Sequence, residues 1–127
     1  MKRVYTASKL ETAATWRELQ QLWARDAFFH ARWLRHTLIG TPDSPEHAAR
    51  FWFEDEEDVK YADALIVYAT PEQHLRGALV EVGIAIASKV PVIVVGAHAD
   101  YGTWQYHDGV IRVDDFDGAL AQIKALP

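Results

Sequence analysis

The chain has no cysteine, no asparagine and a single methionine among its 127 residues. Without cysteine there is no disulfide scaffold, no zinc knuckle and no thiol nucleophile. Without asparagine there is no acceptor for N-glycosylation. Basic residues are also short, with 13 Lys and Arg against 18 Asp and Glu, a formal charge of −5. A binder of long nucleic acid carries a basic stripe, and none runs through this sequence. Four familiar motifs are missing: the Gly-x-Gly-x-x-Gly fingerprint, the Walker lysine loop, His-Glu-x-x-His and Gly-x-Ser-x-Gly. The six histidines are scattered, so surface or hydrogen-bonded roles are the simpler reading and no metal site is expected.

An uninterrupted membrane-length run is lacking as well. The most apolar stretch, 77–99, is long enough to raise the question, but Glu81, Lys89 and Pro91 interrupt it. It reads as a buried helix followed by a buried strand. The start, Met1-Lys2-Arg3-Val4-Tyr5, is basic but has no apolar core of signal-peptide length. The expectation is a cytoplasmic protein with no membrane partner.

What is present is the composition of a folded globule: half apolar, 12% aromatic and 24% charged. The length fits a single domain over 1–127. The acidity is concentrated, because Glu54, Asp55, Glu56, Glu57 and Asp58 together equal the whole formal excess of −5. The remainder is balanced, so any phosphate would have to be held by local donors.

Periodicity predicts strands over 3–6, 28–34, 64–68, 90–95 and 110–113. Helices are expected over 8–23, 46–52, 76–88 and 115–125, with a shorter acidic one over 55–61. Loops are expected over 36–45, 70–74 and 97–108. Ser8 and Glu11 have the spacing of a capping box. The strand Ala64-Leu-Ile-Val-Tyr68 shows no polar alternation, as befits a strand covered on both faces. Strands alternating with helices make the architecture α/β. The expected fold is a flavodoxin-like or Rossmann-like doubly wound, five-stranded parallel sheet in order 2-1-3-4-5. Ligands in such sheets bind beyond the carboxyl ends of the strands, which singles out the loops after strands one, three and four.

One helix stands out. From Gly77 to Ala87 every residue except Glu81 is apolar or glycine. A helix apolar all round is buried, so Glu81 is a carboxylate in a partly desolvated place. Burying an unpaired charge costs several kcal/mol, about 3–5 in known cases, so the group is paired, protonated or kept for chemistry. A structural ion pair with Arg76, Arg32 or Lys89 and a functional role both satisfy that condition.

In order along the chain, Val4-Tyr5-Thr6-Ala7-Ser8, Asp55-x-x-x-Val59-x-x-x-Asp63-Ala64, Gly77-x-x-x-Glu81-x-Gly83 and Pro91-Val92-Ile93 resemble the nucleoside 2-deoxyribosyltransferase superfamily. That superfamily includes deoxynucleoside-monophosphate N-glycosidases, and the resemblance covers nearly the whole chain. It implies that Glu81 is a nucleophile for C1′ of a deoxyribosyl group. It further implies that Asp55 assists departure of the base and that the Tyr5 hydroxyl orients Glu81. Capping of the acidic helix is the alternative for Asp55, and simple packing the alternative for Tyr5. The implied substrate is a small nucleoside or nucleotide, with no cofactor and no metal. The implied assembly is a homo-oligomer. Substrate contacts would come from Ser8, Lys9, Asp63, His74, Arg76, Gly77 and Trp104. Capping also explains Ser8, a structural role fits Asp63, and loop anchoring fits Trp104.

The sequence departs from the family pattern at three places. Leu75 stands where many transferases carry an acid six residues before the nucleophile, and where the phosphate-binding glycosidases use serine nearby. The glycine-serine pair after the first strand is Ala7-Ser8, and the asparagine that transferases lend across subunits is absent. Two other readings remain open. One is a glycohydrolase of the Toll/interleukin-receptor-like or cytokinin-activating type, although the Pro-Gly-Gly-x-Gly-Thr loop of the latter is missing. The other is a binding module that senses a nucleotide without turning it over.

Overall fold

A computed structural model describes residues 1–37 and 42–127. Five strands, β1 (Lys2–Ala7), β2 (Ala27–Phe29), β3 (Ala64–Tyr68), β4 (Val92–Val95) and β5 (Val110–Val113), form one sheet in order β2-β1-β3-β4-β5. Every pairing is parallel, with Tyr5 beside Leu65, Leu65 beside Val92, and Val92 beside Val110. The doubly wound sheet and its strand order are those expected from the sequence.

The helices are α1 (Ala13–Leu22), α2 (Trp33–His36), α3 (Pro45–Lys60), α4 (Gly77–Ala87) and α5 (Phe116–Ala125). Side-chain alternation puts Tyr5 and Tyr68 on opposite faces of the sheet. Tyr68 meets Trp16 of α1 and Phe116 of α5, so those two helices cover one face. Tyr5 reaches α4, and α3 packs against α4 on the other. The sheet between them is buried, with Val4, Leu65, Ile66, Val92 and Val94 all inaccessible to solvent. Among the described residues no helix is long and apolar enough to cross a membrane.

Three local expectations are corrected. The strand expected over 28–34 stops at Phe29, and Trp33–His36 is a helical turn. The chain turns there because the His36 N–H donates to the Arg32 carbonyl at 3.2 Å and the Thr37 N–H to the Trp33 carbonyl at 3.1 Å, bonds within the segment that leave no ladder to a neighbouring strand. The two helices expected over 46–52 and 55–61 are one. Ser44 caps it by accepting the His47 N–H at 3.1 Å, Pro45 opens it, and no glycine or proline interrupts it. Its acidic run is tolerated because Arg32 and His36 take up Glu54, Glu57 and Asp58. The Ser8–Glu11 capping box does not form. A 3-10 turn over Leu10–Thr12 precedes α1, and neither it nor α1 has a side-chain cap. The loop expected over 97–108 contains a further 3-10 turn, Thr103–Tyr106. Of the loop expected over 36–45, positions 38–41 lie outside the described residues.

Candidate active site

Glu81 lies in the second turn of α4 with only 6% of its surface exposed. Tyr5, on the central strand β1, is fully buried, and its hydroxyl donates a hydrogen bond to Oε2 of Glu81. No basic side chain pairs with Glu81 among the described residues. Arg32 is taken up by Asp58, Glu57 and Glu54, so the expected alternative of a structural ion pair is not what the fold builds.

Burial pushes the Glu81 carboxyl well above the usual carboxylate range. The Tyr5 hydroxyl opposes that by stabilising the charged form, and Asp55 adds to it by repulsion. Tyr5 itself is driven far above its ordinary value, first by burial and then by Glu81. It therefore remains protonated and acts as a fixed donor. Its role is orientation, and it has no base function to perform.

Asp55 is carried by the middle of α3, three turns beyond the Ser44 cap, so it does not cap a helix. Its Oδ1 is buried and has no hydrogen-bond partner. Burial and then the charge of Asp58 push its carboxyl up to about 6, against smaller opposing effects of His36 and Arg32. A carboxyl at about 6 with an oxygen that no donor reaches favours the neutral acid.

Glu81 and Asp55 line one cavity of about 430 Å³, together with Ser8, Lys9, Arg76 and Gly77. A second space of about 440 Å³ adjoins it, walled by His36, Phe51, Trp52 and Trp33. Asp55, Trp33 and Trp52 border both chambers, so Asp55 stands at the junction. Trp33 is fixed by donating its indole N–H to the Thr6 carbonyl at 2.8 Å. His36 stacks on Phe51 at 4.2 Å with the rings 4° from parallel. Gly77 opens α4 directly beneath Trp52. A Cβ there would lie 3.3 Å from the indole, so the glycine lets α3 and α4 approach.

No protein-family model matches the sequence, and no curated protein does either. Solved structures do. A 2-deoxyribosyltransferase from Bacillus psychrosaccharolyticus superposes with a TM-score of 0.66 at 15% identity, covering 98% of this chain and 92% of that one. A CMP N-glycosidase from Clostridium botulinum superposes with a TM-score of 0.60 at 18% identity, covering 96% and 97%. The chain has the deoxyribosyltransferase-like fold.

Within this deoxyribosyltransferase-like fold, seven of the residues picked from the sequence converge. Glu81, Asp55, Ser8, Lys9, Arg76 and Gly77 line the first cavity, and Tyr5 stands behind Glu81. Ser8 is engaged: its hydroxyl donates to the Lys9 carbonyl at 2.9 Å and accepts the Trp16 indole N–H at 2.8 Å.

Three others lie elsewhere. Asp63 precedes β3, at the opposite end of the sheet, where its carboxylate accepts the Arg3 N–H at 2.8 Å. Its own N–H donates to the Arg3 carbonyl at 2.8 Å, so it clamps β1 to β3. His74 is largely exposed and lies 3.6 Å from Asp100, whose carboxylate accepts the Leu75 N–H at 2.7 Å. Trp104 packs edge-on against Tyr101 with ring centroids 6.0 Å apart. None of the three lines either chamber.

Sequence reasoning missed Trp33, Trp52 and Phe51. Assigning Trp33 to a strand hid it. Trp52 and Asp55 are three residues apart on one helix, a spacing that puts them on the same face, and splitting α3 concealed that signal.

Proposed function

We propose that the protein is an enzyme that cleaves the N-glycosidic bond of a nucleoside or nucleotide, with water or a second base as acceptor. The observation that carries this reading is the buried Glu81, held by a Tyr5 hydroxyl with no cation beside it, facing the same cavity as Asp55. Structural scaffolding has no use for a desolvated, uncompensated carboxylate, whereas nucleophilic glycosyl transfer requires one. The likeness of fold to a deoxyribosyltransferase and a CMP N-glycosidase supports the same reaction class.

The reactive form carries one proton between the two carboxyls. Tyr5 donates only to Glu81 and so favours its ionised state, while the donor-free Asp55 Oδ1 favours the acid there. A Glu81 oxygen attacks C1′ and forms a glycosyl ester. The C1′–N bond breaks, its electron pair leaves with the base, and the Asp55 proton goes to the departing nitrogen. Water then attacks C1′, giving its proton to the Asp55 carboxylate. The ester C–O bond breaks and returns the Glu81 carboxylate. A second base in place of water yields a new nucleoside. The aromatic chamber past Asp55 suits the base, because flat rings stack on indole and phenyl faces.

The test is incubation with a panel of 2′-deoxynucleosides and their monophosphates, with and without an acceptor base, and identification of the products. Release of free base that disappears in Glu81→Gln is expected. Full activity in that variant overturns the assignment of Glu81, and absence of any base release or exchange overturns the reaction.

A further inference from the structure

We infer that Arg17, a residue of α1 that lines neither chamber, is a positioning residue for the base end of the substrate. It fixes the turn α2, and through that turn the aromatic wall that the base meets. The inference rests on the glycosidic reading above, with the base in the aromatic chamber.

That wall depends on a very short element. α2 supplies Trp33 and His36 to the aromatic chamber, and Thr37 directly after it lines the same space. A helix of four residues makes too few internal hydrogen bonds to persist alone, and no side chain caps its N-terminus. Its place is therefore set by what grips it from outside. At its start, Arg32 reaches Asp58 of α3 at 2.8 Å, and Trp33 donates to the Thr6 carbonyl of β1. At its end, His36 reaches Glu54 of α3 at 2.8 Å.

The hold from α1, on the other face of the sheet, is Arg17. Its Nη2 donates to the Leu34 carbonyl at 2.8 Å and to the Thr37 hydroxyl at 2.6 Å. The Thr37 hydroxyl donates in turn to the Leu34 carbonyl at 2.8 Å. A guanidinium is also the favourable charge beside the last carbonyls of a helical turn. Gln20, three residues further along α1, accepts the Phe29 N–H at 2.6 Å and donates to the Ala27 carbonyl at 2.9 Å. Residues three apart share a helix face, so one face of α1 fastens both β2 and α2. Tyr5, Asp55 and Glu81 stand on β1, α3 and α4, and among the described residues Arg17 makes no hydrogen bond to those elements. Its loss therefore displaces the wall and leaves the reacting groups in place.

The test is steady-state kinetics on the 2′-deoxynucleoside or monophosphate that the unmodified protein cleaves fastest. In Arg17→Met, KM should rise about tenfold, the scale of one lost hydrogen bond to a charged group, with kcat within about twofold. Arg17→Lys keeps the charge and one contact, and its KM should lie within about threefold of the parent. Any other pattern in Arg17→Met, above all a fall in kcat at unchanged KM, overturns the inference, because damage to the fold lowers only the active fraction. The His36 ring protons give a second readout by NMR, since they lie against Phe51 with the ring centroids 4.2 Å apart. In Arg17→Met their resonances should move toward those of a free histidine, and resonances that stay in place overturn the inference. If Arg17→Met does not fold, Arg17→Lys carries both readouts, with smaller shifts in the same directions expected and none overturning. Should the unmodified protein cleave nothing, the glycosidic reading falls. The His36 resonances then decide alone whether Arg17 holds the wall.

Discussion

One turn of α3 separates two acids with opposite surroundings. Asp58 is 7% exposed, yet it receives the Arg32 guanidinium at 2.8 Å and the Arg32 backbone N–H at 2.9 Å. Glu57 adds a second contact to the same guanidinium at 2.6 Å. Asp55, on the same helix, has a buried oxygen that nothing reaches. Glu81 across the cavity has a phenol and, among the described residues, no cation. The fold plainly can compensate a buried carboxylate, and it does so for Asp58. Leaving Asp55 and Glu81 uncompensated is therefore a property of the cavity they share, and one that costs stability.

The largest effect expected from that contrast is on activity. Glu81→Gln keeps the size of the side chain and one acceptor for the Tyr5 hydroxyl, but it removes the nucleophile. Base release should fall by at least about 1,000-fold. Denaturant unfolding at pH 8 should show the variant no less stable than the parent, because the desolvated acid has been removed. Loss of activity together with loss of stability would mean that Glu81 is structural after all.

Arg32→Met should act in the reverse manner, on the fold before the chemistry. It strands Asp58 with a single backbone donor, and stability should drop by about 2–3 kcal/mol. That is below the usual cost for a fully buried pair, since Arg32 is partly solvated. Combining it with Asp58→Asn removes the stranded charge while keeping an acceptor for the Arg32 N–H. The double variant should recover to within about 1 kcal/mol of the parent. A single variant with unchanged urea midpoint would dissolve the distinction between the two acids.

That distinction was only half legible in the sequence. The sheet order could be read because fully apolar strands alternate with helices and leave few other solutions. Glu81 could be read because a lone acid in an apolar helix has no solvent to go to. Asp58 and Asp55 looked alike within one acidic run, since only tertiary packing decides which of them Arg32 reaches. Asp63 had the right neighbours in sequence but the wrong end of the strand, a distinction that needs the β1–β3 register. Trp33 was hidden because an apolar run does not reveal whether it continues as a strand or turns into a helix.

Tyr5→Phe sharpens the comparison from the side of the donor. Among the described residues Tyr5 supplies the only polar contact that favours the charged form of Glu81, so its loss moves the Glu81 carboxyl further up. Activity that needs ionised Glu81 should then rise only at higher pH than in the parent. At neutral pH the rate should be lower by about tenfold, the scale of one lost charge-assisted hydrogen bond. A merely packed tyrosine would lower the rate equally at every pH. The rate–pH profile therefore separates orientation of Glu81 from support of the core.

The smallest effect, on stability, follows from Asp55 alone. Its carboxyl rises from 3.8 in the free chain to about 6 in the fold. Below about pH 3 both states are protonated and the group makes no difference to folding. As pH climbs from about 3 to about 6 the unfolded chain releases its proton first, so folding stability is lost across that window and stays lost above it. A shift of about 2 units would correspond to roughly 3 kcal/mol in full burial, and partial solvation of Asp55 reduces this to about 1 kcal/mol. Asp55→Asn lacks the titration. Urea unfolding should find it equal to the parent at about pH 3 and more stable by about 1 kcal/mol at about pH 7.5. A variant less stable at both pH values would show that Asp55 is compensated like Asp58, and the contrast along α3 would disappear.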